Sequence, residues 1–408
     1  MRVPAGLGLS LILFHGTEAA AEPARFSWPQ MQWEAQIEAG ADGDCAVRAL
    51  AVDGRDAVVV AGYATQSAGP GTRAVPLLAK FGASGRRLWV KNALGRRASP
   101  WGEVRLMAVH ESREITAYGP VGESLDDPFL VSVFARFAPD GTIRWTRTLT
   151  VPGVFRFEPA AMAGVAGGGL VVAGTGRRPE APEEPLWCVV RLDAGLAVRW
   201  VRTHISRATG EQEPGSVVAD SAGNAFILGR GRMGDGPERW LVEGWGPGGE
   251  RRMSAWGDGD ASCVSQTARR IAIYGRWFVV AGDQVCQRRD SSVFVRKLDR
   301  EGRTAWSVAA PTPGRAAAVC VLPSGGTILV GEETAVDEAS GVTWPFAMRW
   351  NAAGDLMMAC RGLRKDETTA RYAAAALDSE GNLVVAGEST VPMKGVPVRR
   401  IFLRKMAF

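Results

Sequence analysis

Two residue patterns recur along this chain with nearly the same period. The first is a bulky residue, tryptophan or methionine, that comes soon after a short turn. Successive members are 52 to 56 residues apart. They are Trp33, Trp89, Trp145, Trp200, Met253, Trp306 and Met358. A fixed spacing along the chain restricts the fold to architectures that are built from repeated units.

The second pattern is a glycine that ends a run of strand-favouring residues, as in VVVAG and LVVAG. Its members are 49 to 57 residues apart. They are Gly62, Gly119, Gly174, Gly229, Gly282, Gly331 and Gly387. Two independent patterns that share one period indicate a propeller or a solenoid with about 50 residues per unit.

Each unit contains four runs rich in Val, Ile, Phe and Trp, as the second unit shows: EVRLMAV, EITAYG, LVSVFARF and TIRWTRTL. Such residues fit pleated strands, and Asp-Gly or Gly-Asn pairs supply the positive φ of short hairpins. The 50 glycines among 408 residues agree with that many turns. The sequence therefore predicts an all-β fold, a seven-bladed β-propeller of four-stranded antiparallel blades. The repeated tryptophans are expected to pack between neighbouring blades.

The two ends of the chain predict how the ring closes. After Gly387 only one more strand follows, RRIFLRKMAF, and near the start MQWEAQI carries Trp33 with no three strands before it. We expect this N-terminal strand to complete the last blade, because closure covers sheet edges that would otherwise pair with other chains. The alanine-rich segment 366–378 is interpreted as the innermost strand of blade 7, although its alanines would also suit a helix.

Two stretches carry a family resemblance. DSEGNLVVAGES and FVRKLDREGRTAW resemble the repeats of bacterial exported seven-bladed β-propellers. The turn followed by tryptophan is also similar to the docking motif of quinoprotein-type propellers, in part only, because Phe81 and Phe137 stand where that family has aspartate. The resemblance implies the fold and export, and it implies no particular activity.

The N-terminus has the pattern of a secretory signal peptide. Arg2 precedes a short apolar stretch at 3–14, and small residues follow at 19–21. We predict a signal peptide at 1–21, a single propeller at 22–408, and a periplasmic or secreted protein. No stretch reaches the roughly 18 apolar residues of a membrane span. The 48 Lys+Arg and 43 Asp+Glu are interspersed, so a nucleic-acid partner is not expected; we expect a monomer.

The cysteines fall into two groups. Because export permits disulfides, we predict a disulfide between Cys263 and Cys286, which lie in two connections of blade 5. Strand positions predict buried thiols for three others, and Cys45 is expected in a loop without a partner. Those three are Cys188, Cys320 and Cys360.

The candidate site lies on the face that carries the longer connections, which we call the long-loop face; the opposite, tight-turn face has turns such as 139–141. Binding residues tend to lie on long loops held by a rigid frame. The longer connections are 63–74, 93–101, 175–185, 230–239 and 332–343.

Three arginines occupy equivalent entry positions of the innermost strands in blades 1, 2 and 5: Arg48, Arg105 and Arg269. They either bind an anion at the channel mouth or pair with the acids Glu103, Glu158 and Glu213. The first reading is the binding hypothesis and the second a structural alternative; the six residues form the candidate ligand-binding set.

Enzyme motifs are sparse in this sequence. After the leader only His110 and His204 remain as histidines, and neither belongs to a metal-spacing, nucleophile-elbow or phosphate-loop motif. The Asp-Gly-Asp loops at 42–44 and 258–260 lack a full calcium ligand set, so no metal or cofactor is expected. The sequence favours a non-enzymatic binding or scaffolding propeller with a protein or glycan partner; the alternative is a lyase or glycoside hydrolase with carboxylates at the channel mouth.

Overall fold

Seven antiparallel sheets follow one another around a central axis in a computed structural model. It describes residues 29–38, 43–68, 71–95, 101–122, 131–204, 213–232, 238–257, 263–286, 289–310, 313–334, 343–362, 367–393 and 396–408. The predicted seven-bladed β-propeller is confirmed. The predicted signal peptide and the second Asp-Gly-Asp loop lie outside the described residues.

Each blade runs from an innermost to an outermost strand. Blade 1 contains β2 (Cys45–Val52), β3 (Val58–Ala68), β4 (Gly71–Phe81) and β5 (Arg87–Lys91). Blade 2 contains β6 (Trp101–Gly102), β7 (Leu106–Val109), β8 (Ile115–Gly122), β9 (Val131–Phe137) and β10 (Ile143–Arg147). Blade 3 contains β11 (Phe155–Gly164), β12 (Leu170–Arg178), β13 (Ala181–Leu192) and β14 (Val198–His204), with a short 3-10 turn at Ala166–Gly168.

The other blades follow the same order. Blade 4 contains β15 (Glu213–Ala219), β16 (Ala225–Arg232), β17 (Glu238–Trp245) and β18 (Arg251–Trp256). Blade 5 contains β19 (Cys263–Tyr274), β20 (Trp277–Cys286), β21 (Arg289–Leu298) and β22 (Thr304–Ala309). Blade 6 contains β23 (Arg315–Val321), β24 (Thr327–Thr334), β25 (Thr343–Trp350) and β26 (Leu356–Arg361). Blade 7 contains β27 (Thr369–Leu377), β28 (Leu383–Met393), β29 (Val396–Ala407) and the N-terminal β1 (Gln30–Glu38).

The ring closes as the sequence predicted. Strand β1 pairs with β29 from Gln30 opposite Ala407 to Glu38 opposite Arg400. The innermost strand of blade 1, β2, contacts β7 of blade 2 on one side and β27 of blade 7 on the other. The alanine-rich segment forms β27, so the interpretation as a strand is confirmed.

The apolar core is divided among the interfaces between blades. Side chains that alternate along one strand join different cores: Val58 and Val60 pack with blade 7, whereas Val59 and Ala61 pack with blade 2. Seven such buried clusters lie in the ring, one between each pair of neighbouring blades. Because successive strand residues point to opposite faces, a blade leaves both faces apolar and relies on its neighbours to cover them.

The repeated tryptophans join the outer edges of neighbouring blades. The indole N–H of Trp33 donates to the Ala83 carbonyl at 2.8 Å, across the boundary between blade 7 and blade 1. A Cβ on the turn residue Gly85 would lie 2.7 Å from the indole. The same donation to the next blade's turn recurs for Trp89, Trp200 and Trp306, at 3.0, 2.8 and 3.0 Å. The turn glycine therefore has two roles: it adopts the positive φ of the hairpin, and it leaves room for the indole of the preceding blade.

A ring of cations on the third strand of six blades is part of the framework. Lys80 bonds Asp53 at 2.7 Å with both side chains buried, and Lys405 bonds Asp378 at 2.5 Å at the same place in blade 7. Lys297 instead donates to carbonyls of the next blade, at Gly325 and Ala352.

Blade 4 has Gly244 at this repeat position and so has no cation there. The aspartate in the first turn of this blade, Asp220, pairs with a cation of another blade. The Asp220 carboxylate pairs with Arg300 of blade 5 at 2.9 Å. Arg300 also lies over the rings of Phe226 and Phe278. The charge at this position is thus supplied by the neighbouring blade.

Two of the connections that were expected to be long loops are strand. The ladder between β3 and β4 continues to Ala68 opposite Gly71, and that between β12 and β13 continues to Arg178 opposite Ala181. Pairing between the strands satisfies backbone groups that a loop would leave to water. At these two places the long-loop face therefore carries extended β-hairpins.

Replacement of Gly85 by alanine should cost more stability than replacement of Gly153. The two glycines have similar φ angles, +80° for Gly85 and +71° for Gly153. A Cβ added to Gly153 would have no atom within 4 Å. Gly153→Ala should lose about 1–2 kcal/mol from the left-handed backbone alone. Gly85→Ala should lose at least about 1 kcal/mol more from overpacking against Trp33, measured by urea unfolding. Equal losses would show that the docking contact is not a steric constraint.

The second prediction concerns His110, which is buried in the turn after β7, with its Nε2 2.8 Å from the Thr116 hydroxyl. Burial, and then the nearby Arg136, lower the pKa of His110 to about 4. The unfolded state binds the proton first, so stability is full above the ordinary pKa and falls as the pH drops towards the folded pKa.

The wild type should lose about 2 kcal/mol from this group between pH 7 and pH 5. His110→Gln, which keeps a neutral side chain, should remove that part of the slope in urea unfolding measured at both pH values. A variant whose free energy of unfolding changes with pH as steeply as that of the wild type would refute this assignment.

Candidate functional site

The innermost strands share one irregularity. In six blades the ladder between the first and second strands shifts by one residue, so one inner residue has no partner across the ladder. A bulge of this kind bends the strand and redirects a side chain. The unpartnered residues are Arg48, Ala160, Gly215, Arg269, Ala317 and Ala373. In blade 2 the inner strand is interrupted instead, and Arg105 lies between β6 and β7 at the equivalent place.

The glycine that ends each strand-favouring run lies opposite this bulge. A Cβ on Gly62 would lie 1.8 Å from the Ala46 carbonyl oxygen, and one on Gly282 would lie 2.1 Å from that of Thr267. No side chain fits at such distances. The glycine pattern in the sequence is therefore the steric counterpart of the bulge.

The bulges bring arginines to one end of the central channel, on the long-loop face. A cavity of about 370 Å³ along the axis is lined by Arg48, Arg105 and Arg270 together with apolar and small residues. An adjoining cavity of about 300 Å³ adds Arg269, Arg315 and Arg371. We call these six arginines and the space between them the channel mouth.

Carboxylates hold most of these arginines. Glu103 accepts from the Nε of Arg105 at 2.6 Å and from the Nε of Arg48 at 3.2 Å. Asp283 accepts from the Nε of Arg269 and from the backbone N–H of Ala316. Both carboxylates therefore act as counter-charges within the mouth.

Glu388 connects the first and last blades at the same level. It accepts from the Nε of Arg371 at 2.6 Å and from the backbone N–H of Val47 in the bulge of blade 1. Asp283 makes the corresponding contact from blade 5 to blade 6. An acid in the second strand thus fixes the bulge of the following blade at two interfaces.

Arg270 differs from the other arginines of the mouth. Its Nε donates to the Ala317 carbonyl at 2.6 Å and its Nη1 to the Arg269 carbonyl at 2.9 Å. Burial, and then the charge of Arg269, lower the pKa of its guanidinium, which stays protonated at neutral pH because arginine titrates so high. Arg315 is exposed at the start of β23, across the ladder from Glu332.

The structure brings together most of the residues named from the sequence. Arg48, Arg105 and Arg269 all line the channel mouth, and Glu103 pairs with two of them. Glu158 is exposed on β11. Glu213 begins β15 opposite Arg230, and its side chain lies outside the described part of the chain. Ligand binding by these residues stays a prediction.

Sequence reasoning missed three arginines of the mouth. Arg315 and Arg371 stand at the repeat position of Glu103, two residues before the bulge, so alignment of the repeats could have found them. Arg270 follows the bulged residue Arg269. Simple alternation would place two adjacent side chains on opposite faces of the strand, so nothing in the sequence alone placed both at the mouth.

The cysteines differ from expectation in two places. Cys45 is the first residue of β2 and is buried, where burial and the nearby Glu388 raise the pKa of its thiol to about 12. It was expected in a loop. Cys263 and Cys286 lie at the ends of β19 and β20, directly opposite each other in the ladder, and not in loops. As expected, the other three are buried thiols: Cys188, Cys320 and Cys360.

The first Asp-Gly-Asp loop is described from residue 43 onward. Asp44 accepts from the Tyr63 hydroxyl at 2.8 Å and pairs with Arg399 at 2.5 Å. In the part of the chain that the structure describes, no group of three or more His, Cys, Asp or Glu could hold a metal ion. Asp44 therefore has partners of its own within the propeller.

Comparisons with known proteins concern the fold. Protein-family models give no match, and neither do curated proteins. Among solved structures, a protein of unknown function from Dyadobacter fermentans is 10% identical with a TM-score of 0.49, over 92% of this chain and 99% of that one. Drosophila Plexin A, solved in complex with Semaphorin 1b, is 9% identical with a TM-score of 0.49, over 93% and 88%.

An α-L-arabinanase from Penicillium chrysogenum, complexed with arabinobiose, is 11% identical with a TM-score of 0.45, over 73% of this chain and 92% of that one. Identities of 9–11% and TM-scores of 0.45–0.49 carry no statement about activity or partner. Separately, no helix among the described residues has the length and apolar character to cross a bilayer.

Proposed function

We propose that this chain is an exported, non-enzymatic binding or scaffolding propeller that takes a protein or glycan partner on its long-loop face. The observation that carries the proposal is the channel mouth, where bulges at one repeat position gather six arginines. The closed ring supplies the rigid frame on which such a site keeps its geometry.

The hydrogen bonding of three acids at the mouth, where Glu332 is a further lining carboxylate, supports binding over the alternative, a lyase or glycoside hydrolase. Glycoside hydrolysis needs two carboxylates about 5–10 Å apart that reach the scissile bond. Glu103, Asp283 and Glu388 each accept hydrogen bonds on both oxygens from arginines or backbone N–H groups. Such contacts fit carboxylates that hold arginines in place.

The export proposal rests on the leader pattern at 1–21 and on Cys263 opposite Cys286 at the end of the hairpin of blade 5. We propose that these two cysteines form a disulfide in the oxidised protein, which ties this end of the hairpin on the long-loop face. The four other cysteines are buried free thiols.

A third prediction concerns the arginines of the mouth. Binding of the mature protein to glycan and peptide arrays should give partners whose affinity falls about tenfold or more in Arg105→Ala and Arg269→Ala, since a hydrogen bond to a charged group contributes about 1.5–3 kcal/mol. Arg105→Ala should fold, because the largely exposed Arg105 contributes little to stability through its pair with Glu103. Arg269 is partly buried against Asp283, so urea unfolding of Arg269→Ala accompanies its binding measurement.

The matched control is Arg303→Ala, which removes one positive charge from an exposed pair with Asp299 in a tight turn. Its binding should equal that of the wild type. Partners whose affinity is unchanged in both mouth variants would exclude the channel mouth as their site.

A fourth prediction concerns the leader and the disulfide. Mass spectrometry of protein purified from an exporting host should show a chain that begins near residue 22 and a Cys263–Cys286 cross-linked peptide under non-reducing conditions. Cys286→Ser should remove that peptide and leave the buried Cys188 and Cys320 unreacted with an alkylating reagent in the folded protein, because burial raises the pKa of both thiols. A free thiol at Cys263 in the wild type would contradict the proposal.

A further inference from the structure

The cavity on the blade 5 to blade 7 side of the channel mouth has an excess of positive charge. Five arginines line its space of about 300 Å³, and Glu332 is the one carboxylate among the described lining residues. Three of the five arginines form ion pairs with acids that do not line this cavity. The pairs are Arg48–Glu103, Arg269–Asp283 and Arg371–Glu388. Arg270 and Arg315 form no ion pair within the described residues.

Arg270 is the stronger indication of the two. A guanidinium has five N–H donors, and Arg270 makes two hydrogen bonds, both to backbone carbonyls. Carbonyl oxygens satisfy hydrogen-bonding capacity but carry no full negative charge, and Asp283, whose charge also acts on Arg270, is the ion-pair partner of Arg269. A partly buried charge with no ion-pair partner of its own is costly, so an anion beside Arg270 would be bound favourably.

The bulge explains why this charge lies at the mouth. Arg270 is opposite Ala281 in the ladder, and Arg269 is the extra residue that the bulge admits. Two adjacent arginines therefore line one cavity. Strand bulges next to binding sites commonly redirect side chains in this way.

A second cavity, of about 340 Å³, adjoins the first and has a different character. It shares Arg371 and Glu332 with the first cavity. The rest of its polar wall is rich in hydroxyl groups, which can both donate and accept hydrogen bonds. These hydroxyl residues are Thr343, Thr369, Ser389 and Thr390.

We infer that the two cavities together bind an acidic saccharide. Its carboxylate or sulfate group lies against Arg270 and Arg315, and a neighbouring sugar ring occupies the threonine-lined cavity between blades 6 and 7. Guanidinium groups match the planar carboxylate and the tetrahedral sulfate in geometry and charge. This inference rests on the proposed binding function and restricts its partner to one class of ligand.

Calorimetric titration with four probes tests the inference: a uronate disaccharide, a sulfated disaccharide, an uncharged disaccharide of the same linkage, and inorganic sulfate. The two acidic disaccharides should bind at least about tenfold more tightly than the uncharged one, as expected for charge-assisted hydrogen bonds. Whichever acidic group binds more tightly identifies the charged part of the ligand.

Three variants separate the two cavities. Arg315→Ala removes an exposed arginine at the start of its strand and should weaken the acidic disaccharides at least about tenfold, as should Arg270→Met. Thr369→Val keeps the side-chain shape and removes one hydroxyl, so it should weaken the disaccharides and leave inorganic sulfate unchanged. Arg303→Ala, on the tight-turn face, should match the wild type for every probe.

Several results would overturn the inference. They are binding of the uncharged disaccharide as tight as that of the acidic ones, binding of inorganic sulfate as tight as that of the disaccharides, or full affinity in Arg315→Ala. A protein partner that depends on Arg105 and Arg269, with no acidic disaccharide bound, would overturn the inference and leave the proposed function standing. A partner bound with no dependence on any mouth arginine would refute both.

Discussion

The interface between neighbouring blades is the constraint on which the rest of this structure depends. Along the second strand of a blade, consecutive side chains belong to two different cores, as Val384 and Val385 do in blade 7. No blade encloses an apolar interior of its own. Stability is therefore a property of the closed ring, and the pairing of β1 with β29 completes the blade that closes it, because an open ring would expose apolar faces at both of its ends.

The two sequence patterns encode two different close approaches. Glycine in the outer turn, as at Gly85, lets an indole of the preceding blade lie against the backbone. Glycine in the second strand, as at Gly282, lets the bulged inner strand come near. The first approach joins blades at the outer edge, and the second shapes the wall of the channel, so one repeat unit carries both the assembly of the ring and the geometry of its mouth.

The fold followed from the sequence because period, strand composition and turn chemistry all indicate the same architecture. The site followed only in part. The equivalence of Arg48, Arg105 and Arg269 was visible from the repeat, since equivalent residues in a ring converge on the axis. The role of Arg270 depends on a one-residue shift of the ladder, and such a shift reverses which side chains face the channel. The strand pairing of 63–74 was missed because polar residues there resemble a loop.

The contrast between the framework cations and the mouth arginines shows where the repeat has diverged. Lys80 and Lys405 occupy one repeat position, and each finds a buried aspartate in its own blade, an arrangement that holds turns together. At the mouth, the corresponding inner-strand position varies from arginine to alanine and glycine, so the charge is concentrated on part of the ring. Concentration of Arg270 and Arg315 on one side, beside a hydroxyl-lined cavity, is the asymmetry expected where a symmetric scaffold receives an asymmetric ligand.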